Sequence, residues 1–187
     1  MVSGSKVRAE LVENRIVVWD IVAAREIFKD NFYGKPLGIP KPRGADFDAP
    51  LILDLIEGYY LAKEGKIIIY NAKTGEKAKE KDLEKKCKSE YMYFDEKYLV
   101  YRELRKSGYV VTPGIKFGCD FAVYEHGPGI DHAPYLVQVM LPEENLTATG
   151  IVLSGRLATT VRKQFAVAIP HMEAKKVSFL SFDWWRA

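Results

Sequence analysis

The stretch VYEHGPGIDHAPYLVQV, residues 123–139, has an apolar segment at each end and a glycine- and proline-containing loop between them. Its two ends carry the β-branched and aromatic residues that favour strands, and the loop carries residues that favour turns. The pattern therefore predicts two strands of one sheet joined by a polar loop. Two of the chain's three histidines lie in this loop, so it is either a simple connection or the edge of a catalytic site.

The segments around this stretch alternate between helical and strand-like patterns, which predicts an α/β (α+β) protein. Helices are predicted after Asp20, over 51–65, over 74–88, and from residue 94 to a stop at Gly108. Strands are predicted on either side of Glu13-Asn14, and over 66–71, 109–112, 115–124, 133–142, 150–155 and 177–187. The charge-rich segment 74–88 makes a boundary between two halves. We therefore predict an N-terminal domain over 1–80 and a C-terminal domain over 81–187.

The composition excludes several classes of protein. The chain has no apolar run near the roughly 20 residues needed to span a membrane, and its N-terminus lacks the apolar core of a secretory signal. We therefore expect a cytoplasmic protein. The formal charge of +3 permits an acidic partner such as nucleic acid but does not identify one. Cys87 and Cys119 lack metal-ligand spacing, which argues against zinc and predicts two buried thiols, with a disulfide as the alternative.

The segment 33–50, YGKPLGIPKPRGADFDAP, cannot form a continuous helix or strand because it contains four prolines and three glycines. It is long for a simple connection, and loops of this length are often functional. Lys35, Lys41 and Arg43 make its first half basic. The segment is either a surface excursion or a loop that contacts RNA or a partner subunit.

A metal-dependent nuclease is one chemistry to consider for the second half. Such sites often place an acidic residue at the end of one strand and a carboxylate and a lysine on the next, where they hold a hard cation. Asp120 could be the first group, but residues 138–140 are Gln-Val-Met. The sequence therefore argues against this class.

Metal-free cleavage of RNA needs other groups. A base takes the 2′-hydroxyl proton, an acid protonates the leaving 5′-oxygen, and a cation stabilises the charge on the phosphate. Tyr124 at a strand end, His132 in the loop and Lys163 beyond the next strand are of suitable types, since a nearby lysine makes a tyrosine a better base. Spacing alone leaves open that they are an exposed tyrosine, a loop histidine and a solvated lysine.

Three blocks in this half, YLVYRELRKSGYVVTPGIKFGCDFAVY, DHAPYLVQV and RLATTVRKQFAVAI, resemble the catalytic domain of the tRNA-splicing endonucleases. The match covers about residues 94–187, and the first half is similar to the smaller N-terminal domain of the archaeal enzymes. The resemblance implies a C-terminal catalytic domain with a mixed central sheet flanked by helices, of the restriction-endonuclease-like kind. It also implies an enzyme that needs neither metal nor cofactor.

The resemblance assigns roles to individual residues. The family's catalytic tyrosine falls on Tyr124 in the block KFGxDFxVY, its histidine on His132 in HAxYLV, and its lysine on Lys163 in VRK. The implied products are a 2′,3′-cyclic phosphate and a 5′-hydroxyl. The implied substrate is precursor tRNA with a bulge-helix-bulge at the intron–exon junctions. Two arginines that hold a bulged base by cation–π contact are matched by Arg156 and Arg186.

The loop 33–50 resembles an insertion found in a branch whose enzyme is an α2β2 heterotetramer with two catalytic and two structural subunits. The resemblance makes Lys41 and Arg43 candidates for RNA contact. We therefore expect a catalytic subunit that works with a structural endonuclease subunit, with a homotetramer as the alternative assembly. The rival readings are a non-catalytic structural subunit of the same complex and a metal-dependent nuclease.

Overall fold

The computed structural model describes residues 6–40, 42, 44–130, 135–150, 152, 155 and 163–182. The chain divides into two compact units, Met1–Phe94 and Asp95–Ala187, and each contains one five-stranded sheet. Both sheets combine parallel and antiparallel pairs, and helices occur in both units, so the predicted α/β class is confirmed. None of the helices in the described part of the chain is long and apolar enough to cross a membrane.

The N-terminal unit has its sheet in the order β3-β4-β2-β1-β5, in which β1 and β5 are parallel and the other pairs antiparallel. Its elements, in chain order, are β1 (Val7–Val12), β2 (Arg15–Val18), α1 (Ile21–Lys29), β3 (Lys35–Pro36), β4 (Leu51–Leu53), α2 (Leu55–Lys63), β5 (Ile67–Asn71) and α3 (Glu80–Glu90). One face of the sheet is apolar, and Ile16, Val18, Leu51 and Leu53 on it are completely buried. Helix α2 lies against it so closely that a side chain on Gly58 would meet Ile16.

Side-chain caps fix the starts of the first two helices. Asp20 accepts a hydrogen bond from the backbone N–H of Ala23 at 2.8 Å, which confirms it as the N-cap of α1. Asp54 caps α2 together with Glu57 in a reciprocal capping box. The prediction of one helix over 51–65 is therefore wrong at its start, because 51–53 pair with β2 as strand β4.

The charged segment before α3 also differs from its prediction. A helix over 74–88 is expected from the sequence, but α3 begins at Glu80. Gly75 has a positive φ of 71°, and Lys77 pairs with Tyr70 as an isolated bridge, so the chain leaves β5 through a turn. Helix α3 buries Leu83 and Cys87 in the N-terminal unit. The domain boundary predicted at 80/81 stays a prediction, while the compact units meet at 94/95.

The C-terminal unit has its sheet in the order β10-β9-β8-β7-β6, and only β8 and β9 run parallel among these pairs. Its elements are α4 (Phe94–Lys106, whose first residue ends the N-terminal unit), β6 (Val110–Pro113), β7 (Phe121–Tyr124), β8 (Tyr135–Val139), β9 (Gln164–His171) and β10 (Lys176–Phe182). The predicted strand over 150–155 is wrong, because residues 148–150, 152 and 155 are helical. Thr147 Oγ1 accepts a hydrogen bond from the N–H of Gly150 at 3.1 Å, as a helix cap does.

Both cysteines are free and buried, which confirms the two predicted thiols. Burial raises the pKa of Cys87 to about 12, and the negative charges of Asp54 and Glu84 add to the effect. Burial, followed by the charge of Asp120, raises the pKa of Cys119 to about 11. Both thiols therefore stay protonated in the folded chain at a pH where they ionise in the unfolded chain.

These shifts predict an alkaline loss of stability. Each pKa is higher in the folded than in the unfolded state, so the stabilisation is complete below about pH 9 and is lost as the pH rises further. Each thiol should lower the free energy of unfolding by about 1.4 kcal/mol per pH unit between its two pKa values. Urea unfolding from pH 8 to 11 measures this slope, which should be shallower in Cys87→Ala/Cys119→Ala. Equal slopes in the two proteins would contradict the assignment.

Candidate active site

The strand register of the C-terminal sheet brings the ends of three strands to one edge. Val123 pairs with Tyr135 at the start of β8, and Tyr135 pairs with Gln164 at the start of β9. Tyr124 follows Val123 as the last residue of β7, and Lys163 precedes Gln164. Since adjacent strands lie about 4.8 Å apart, the backbones of Tyr124 and Lys163 are separated by about two strand spacings.

Tyr124 and Lys163 also share one face of the sheet. Ala122, Leu136 and Phe165 pair across β7, β8 and β9, and paired residues project from the same side. Tyr124 lies two positions after Ala122 and packs against the apolar cluster that these three residues form. Lys163 lies two positions before Phe165. The alternation of side chains therefore places the phenol and the ammonium on one side of the same edge.

Contacts of the segment before β7 support the placement of Lys163. The Nζ atom of Lys163 lies over the ring of Phe117, 5.4 Å from its centroid. Phe117 itself packs against the cluster that Tyr124 contacts. A short 3-10 turn presents this ring: the N–H of Phe117 donates to the carbonyl of Gly114 at 2.7 Å, and Gly118 follows in the left-handed conformation with φ 67°.

Asp120, the candidate metal ligand of the sequence analysis, holds strands and helix together instead. Its Oδ1 pairs with the Lys97 ammonium of α4 at 2.7 Å, and its Oδ2 accepts hydrogen bonds from Gln138 Nε2 and the Val139 N–H, each at 2.8 Å. Only 12% of its side chain is exposed, so these bonds replace most of its hydration. Both oxygens of the carboxylate therefore have protein partners.

This arrangement predicts that Asp120 matters for stability. Asp120→Ala should lower the free energy of unfolding by about 2–4 kcal/mol, because Lys97 and the Val139 N–H lose their acceptor in a largely buried place. Urea denaturation measures the change. Asp120→Asn is the matched control: it keeps an oxygen for the backbone N–H and should lose less. A value for Asp120→Ala within 0.5 kcal/mol of wild type, on the order of an ordinary surface substitution, would contradict this role.

Five residues singled out by the sequence lie outside the described part of the chain. His132 is the predicted acid, and Arg156, Arg186, Lys41 and Arg43 are the predicted RNA contacts. In the sequence His132 stands three positions before Tyr135, the residue that begins β8 at the edge shared with Tyr124. Their roles stay predictions.

Two residues at this site have no place in the sequence predictions. Phe117 contacts Lys163, and Lys97 pairs with Asp120. Both contacts join segments that are distant along the chain, so no local pattern indicates them. The only local signal is Gly118, which predicts a turn directly after Phe117 but not the contact that the Phe117 ring makes.

The arrangement as described combines a phenol and an ammonium at one sheet edge, next to an apolar wall. A tyrosine in its phenolate form can accept a proton. An ammonium stabilises both that phenolate and the negative charge of a phosphate. Within the described ranges, no three His, Cys, Asp or Glu side chains stand close enough to hold a metal ion.

Comparisons with known proteins agree over nearly the whole chain. Residues 7–83 match the model of the tRNA intron endonuclease N-terminal domain, and residues 94–178 match that of the tRNA intron endonuclease catalytic C-terminal domain. A tRNA-splicing endonuclease of Hyperthermus butylicus is 44% identical over 178 residues, which cover 95% of this chain and 98% of the relative. One of Sulfurisphaera tokodaii is 41% identical over 94% and 97% of the two chains, and one of Pyrobaculum islandicum is 42% identical over 90% and 93%.

Proposed function

Because the chain belongs to the tRNA intron endonuclease family over both of its domains, we propose that it is a catalytic subunit that cleaves precursor tRNA at intron–exon junctions. The observation that carries the proposal is the placement of Tyr124 and Lys163 on one face and at one edge of the C-terminal sheet. A subunit that only docks RNA has no need of both groups at one sheet edge.

The proposed reaction is an attack within the RNA chain. Tyr124 takes the proton of the 2′-hydroxyl, the 2′-oxygen attacks the adjacent phosphorus, and the bond to the 5′-oxygen breaks. His132 gives a proton to that leaving oxygen. Lys163 stabilises the extra negative charge on the phosphate as the five-coordinate state forms. The products are a 2′,3′-cyclic phosphate and a 5′-hydroxyl, and no step draws on a metal or cofactor.

The proposed substrate is a bulge-helix-bulge, and its recognition involves residues outside the described ranges. We assign Arg156 and Arg186 to the bulged base, which a guanidinium can hold by stacking, and Lys41 and Arg43 to the phosphate backbone. RNA bases are accessible mainly in unpaired regions, which suits an enzyme that reads bulges. We place this activity in the cytoplasm.

The proposed assembly is an α2β2 heterotetramer with a structural endonuclease subunit, and a homotetramer is the alternative. Two bulges need two active sites at a fixed separation, which a symmetric oligomer provides. Strand β10 ends one side of the C-terminal sheet, and Phe179 and Leu180 on it are each 45% exposed. An exposed apolar edge strand of this kind is suited to pairing with another chain.

The test is cleavage of a bulge-helix-bulge precursor tRNA in EDTA, by the chain alone and with candidate structural subunits. We expect fragments that end in a cyclic phosphate, and loss of cleavage with His132→Ala. A need for the second subunit would identify the heterotetramer. Activity that disappears in EDTA and returns with a divalent cation would favour the metal-dependent nuclease. No cleavage in any combination would leave the RNA-docking subunit as the better reading.

A further inference from the structure

We infer that the sheet of the N-terminal unit binds RNA on the face opposite its helices. This inference rests on the proposed function, because it takes the RNA to be a segment of the precursor tRNA outside the cleaved bulges. We call this surface the open face. A continuous row of paired residues crosses it from one side of the sheet to the other: Lys35, Ile52, Val17, Glu10, Tyr70 and Lys77.

The two faces of this sheet differ in burial. Ile16, Val18, Leu51 and Leu53 project to the helical side and are completely buried. The residues of the row alternate with them along the strands and therefore project to the other side. There Val17 is buried, Glu10, Ile52 and Tyr70 are half-buried, and the two lysines are exposed, so the open face meets solvent on both sides of Val17.

Glu10 organises the centre of the open face. Its Oε1 accepts a hydrogen bond from the Arg8 guanidinium at 3.2 Å, and its Oε2 accepts one from the indole Nε1 of Trp19 at 3.0 Å. The Arg8 guanidinium also lies over the ring of Tyr70, 4.2 Å from its centroid. Arg8, Trp19 and Tyr70 are thereby held together around one carboxylate before any ligand arrives.

This cluster leaves stacking surfaces exposed. The side chain of Arg8 is 61% exposed, and Trp19 is 51% exposed even though its N–H is hydrogen-bonded. Tryptophan is enriched at binding interfaces, where its ring packs against the partner and its N–H is hydrogen-bonded. Planar guanidinium and indole groups stack on nucleic-acid bases in any sequence, at about 1–3 kcal/mol per base.

The charge of the open face favours RNA over other occupants. Lys35 and Lys77 are exposed cations, and the charges of Arg8 and Glu10 offset each other in their ion pair, so the face has a net positive charge. The two lysines stand at opposite ends of the row, and five strand spacings of about 4.8 Å separate their backbones by about 24 Å. Cations spread at this scale beside aromatic rings suit a phosphate backbone that crosses the sheet, with bases stacked at its centre.

The test compares the affinity of two triple variants for precursor tRNA that has 2′-deoxy residues at both cleavage positions, which prevents cleavage. Arg8→Gln/Lys35→Gln/Lys77→Gln removes the cations of the open face. Lys79→Gln/Lys81→Gln/Lys85→Gln removes as much charge at and within helix α3 of the same unit. With the full assembly at about 0.15 M salt, we expect affinity to fall about 10- to 100-fold for the first variant and much less for the second. The slope of log affinity against log salt should become shallower by about 2 in the first variant only.

A spectroscopic probe of Trp19 separates RNA from other occupants. In protein labelled with 5-fluorotryptophan, the Trp19 fluorine signal, assigned with Trp19→Phe, should shift when the uncleavable RNA is added. A shift caused by a structural subunit without RNA would overturn the inference and assign the open face to protein. Equal affinities of the two triple variants, or an unmoved Trp19 signal in the RNA complex, would also overturn it.

Cleavage assays distinguish a failure of this inference from a failure of the proposed function. If the wild-type assembly does not cut the unmodified precursor, the proposed function fails. If it cuts normally and the open-face variant binds as tightly as the α3 variant, only the inference fails.

Discussion

Lys163→Gln is expected to lower the single-turnover rate of precursor tRNA cleavage about 10²- to 10³-fold. In the proposed mechanism the Lys163 ammonium, which lies over Phe117, stabilises the charge that develops on the phosphate, and the loss of one such group from an active site costs about this much. Glutamine keeps the length and polarity of the side chain but not its charge. RNA affinity should fall by no more than about fivefold, because one phosphate contact among many is removed.

The matched control for this change is Lys116→Gln, which removes an exposed lysine one position before Phe117. It should leave the cleavage rate within about twofold of wild type, because solvent and salt screen the charge of an exposed side chain. A cleavage rate for Lys163→Gln equal to that of Lys116→Gln would show that Lys163 is a solvated lysine. The proposed catalytic site at this sheet edge would then lack a cation to stabilise the phosphate charge.

Tyr124→Phe is expected to slow cleavage by about 10³-fold, within the range of a lost general base. Only the phenolic oxygen is removed. The ring, which packs against the cluster of Ala122, Leu136 and Phe165, remains in place, so the melting temperature should stay close to that of the wild type. Single-turnover cleavage at saturating enzyme isolates the chemical step from RNA binding.

Tyr109→Phe is the matched control for Tyr124→Phe. Tyr109 precedes β6 by one residue and contacts Tyr135 edge-to-face, with 6.5 Å between ring centroids. Tyr135 pairs with Val123 and so projects to the side of the sheet opposite Tyr124. Tyr109→Phe should therefore cleave at nearly the wild-type rate. If both variants lose activity equally, the effect of Tyr124→Phe is a general effect of losing a hydroxyl and not the loss of a base.

The local sequence predicts those helices and strands whose ends carry a side-chain cap or a clear change in the spacing of apolar residues. Asp20 with helical apolar spacing after it is such a case, and α1 follows the prediction. In the run LILDLIEGYYLAK the helical spacing of apolar residues continues through Leu51–Leu53 and obscures the start of the helix. The capping box of Asp54 and Glu57 is the local signal that separates strand from helix there. Tertiary pairing with β2 decides the state of Leu51–Leu53, and propensity alone does not.

The candidate site shows the same limit at longer range. The residue types of Tyr124 and Lys163 suit RNA cleavage, and their family blocks indicate their roles. Their proximity depends on the parallel pairing of β8 with β9, which joins Tyr135 to Gln164 across a long connection. Register between distant strands is set by side-chain packing on both faces, so it cannot be inferred from either strand by itself.

The parallel pairing of β8 and β9 also imposes an order on folding. The connection from β6 to β7 has seven residues, whereas that from β8 to β9 has 24, so its closure costs more loop entropy and we expect β9 to join the β6–β7–β8 part of the sheet later. Lys163 precedes β9 and arrives with it. We therefore expect a half-folded chain to carry the Tyr124 phenol without the Lys163 ammonium, and to lack cleavage activity until β9 has joined the sheet.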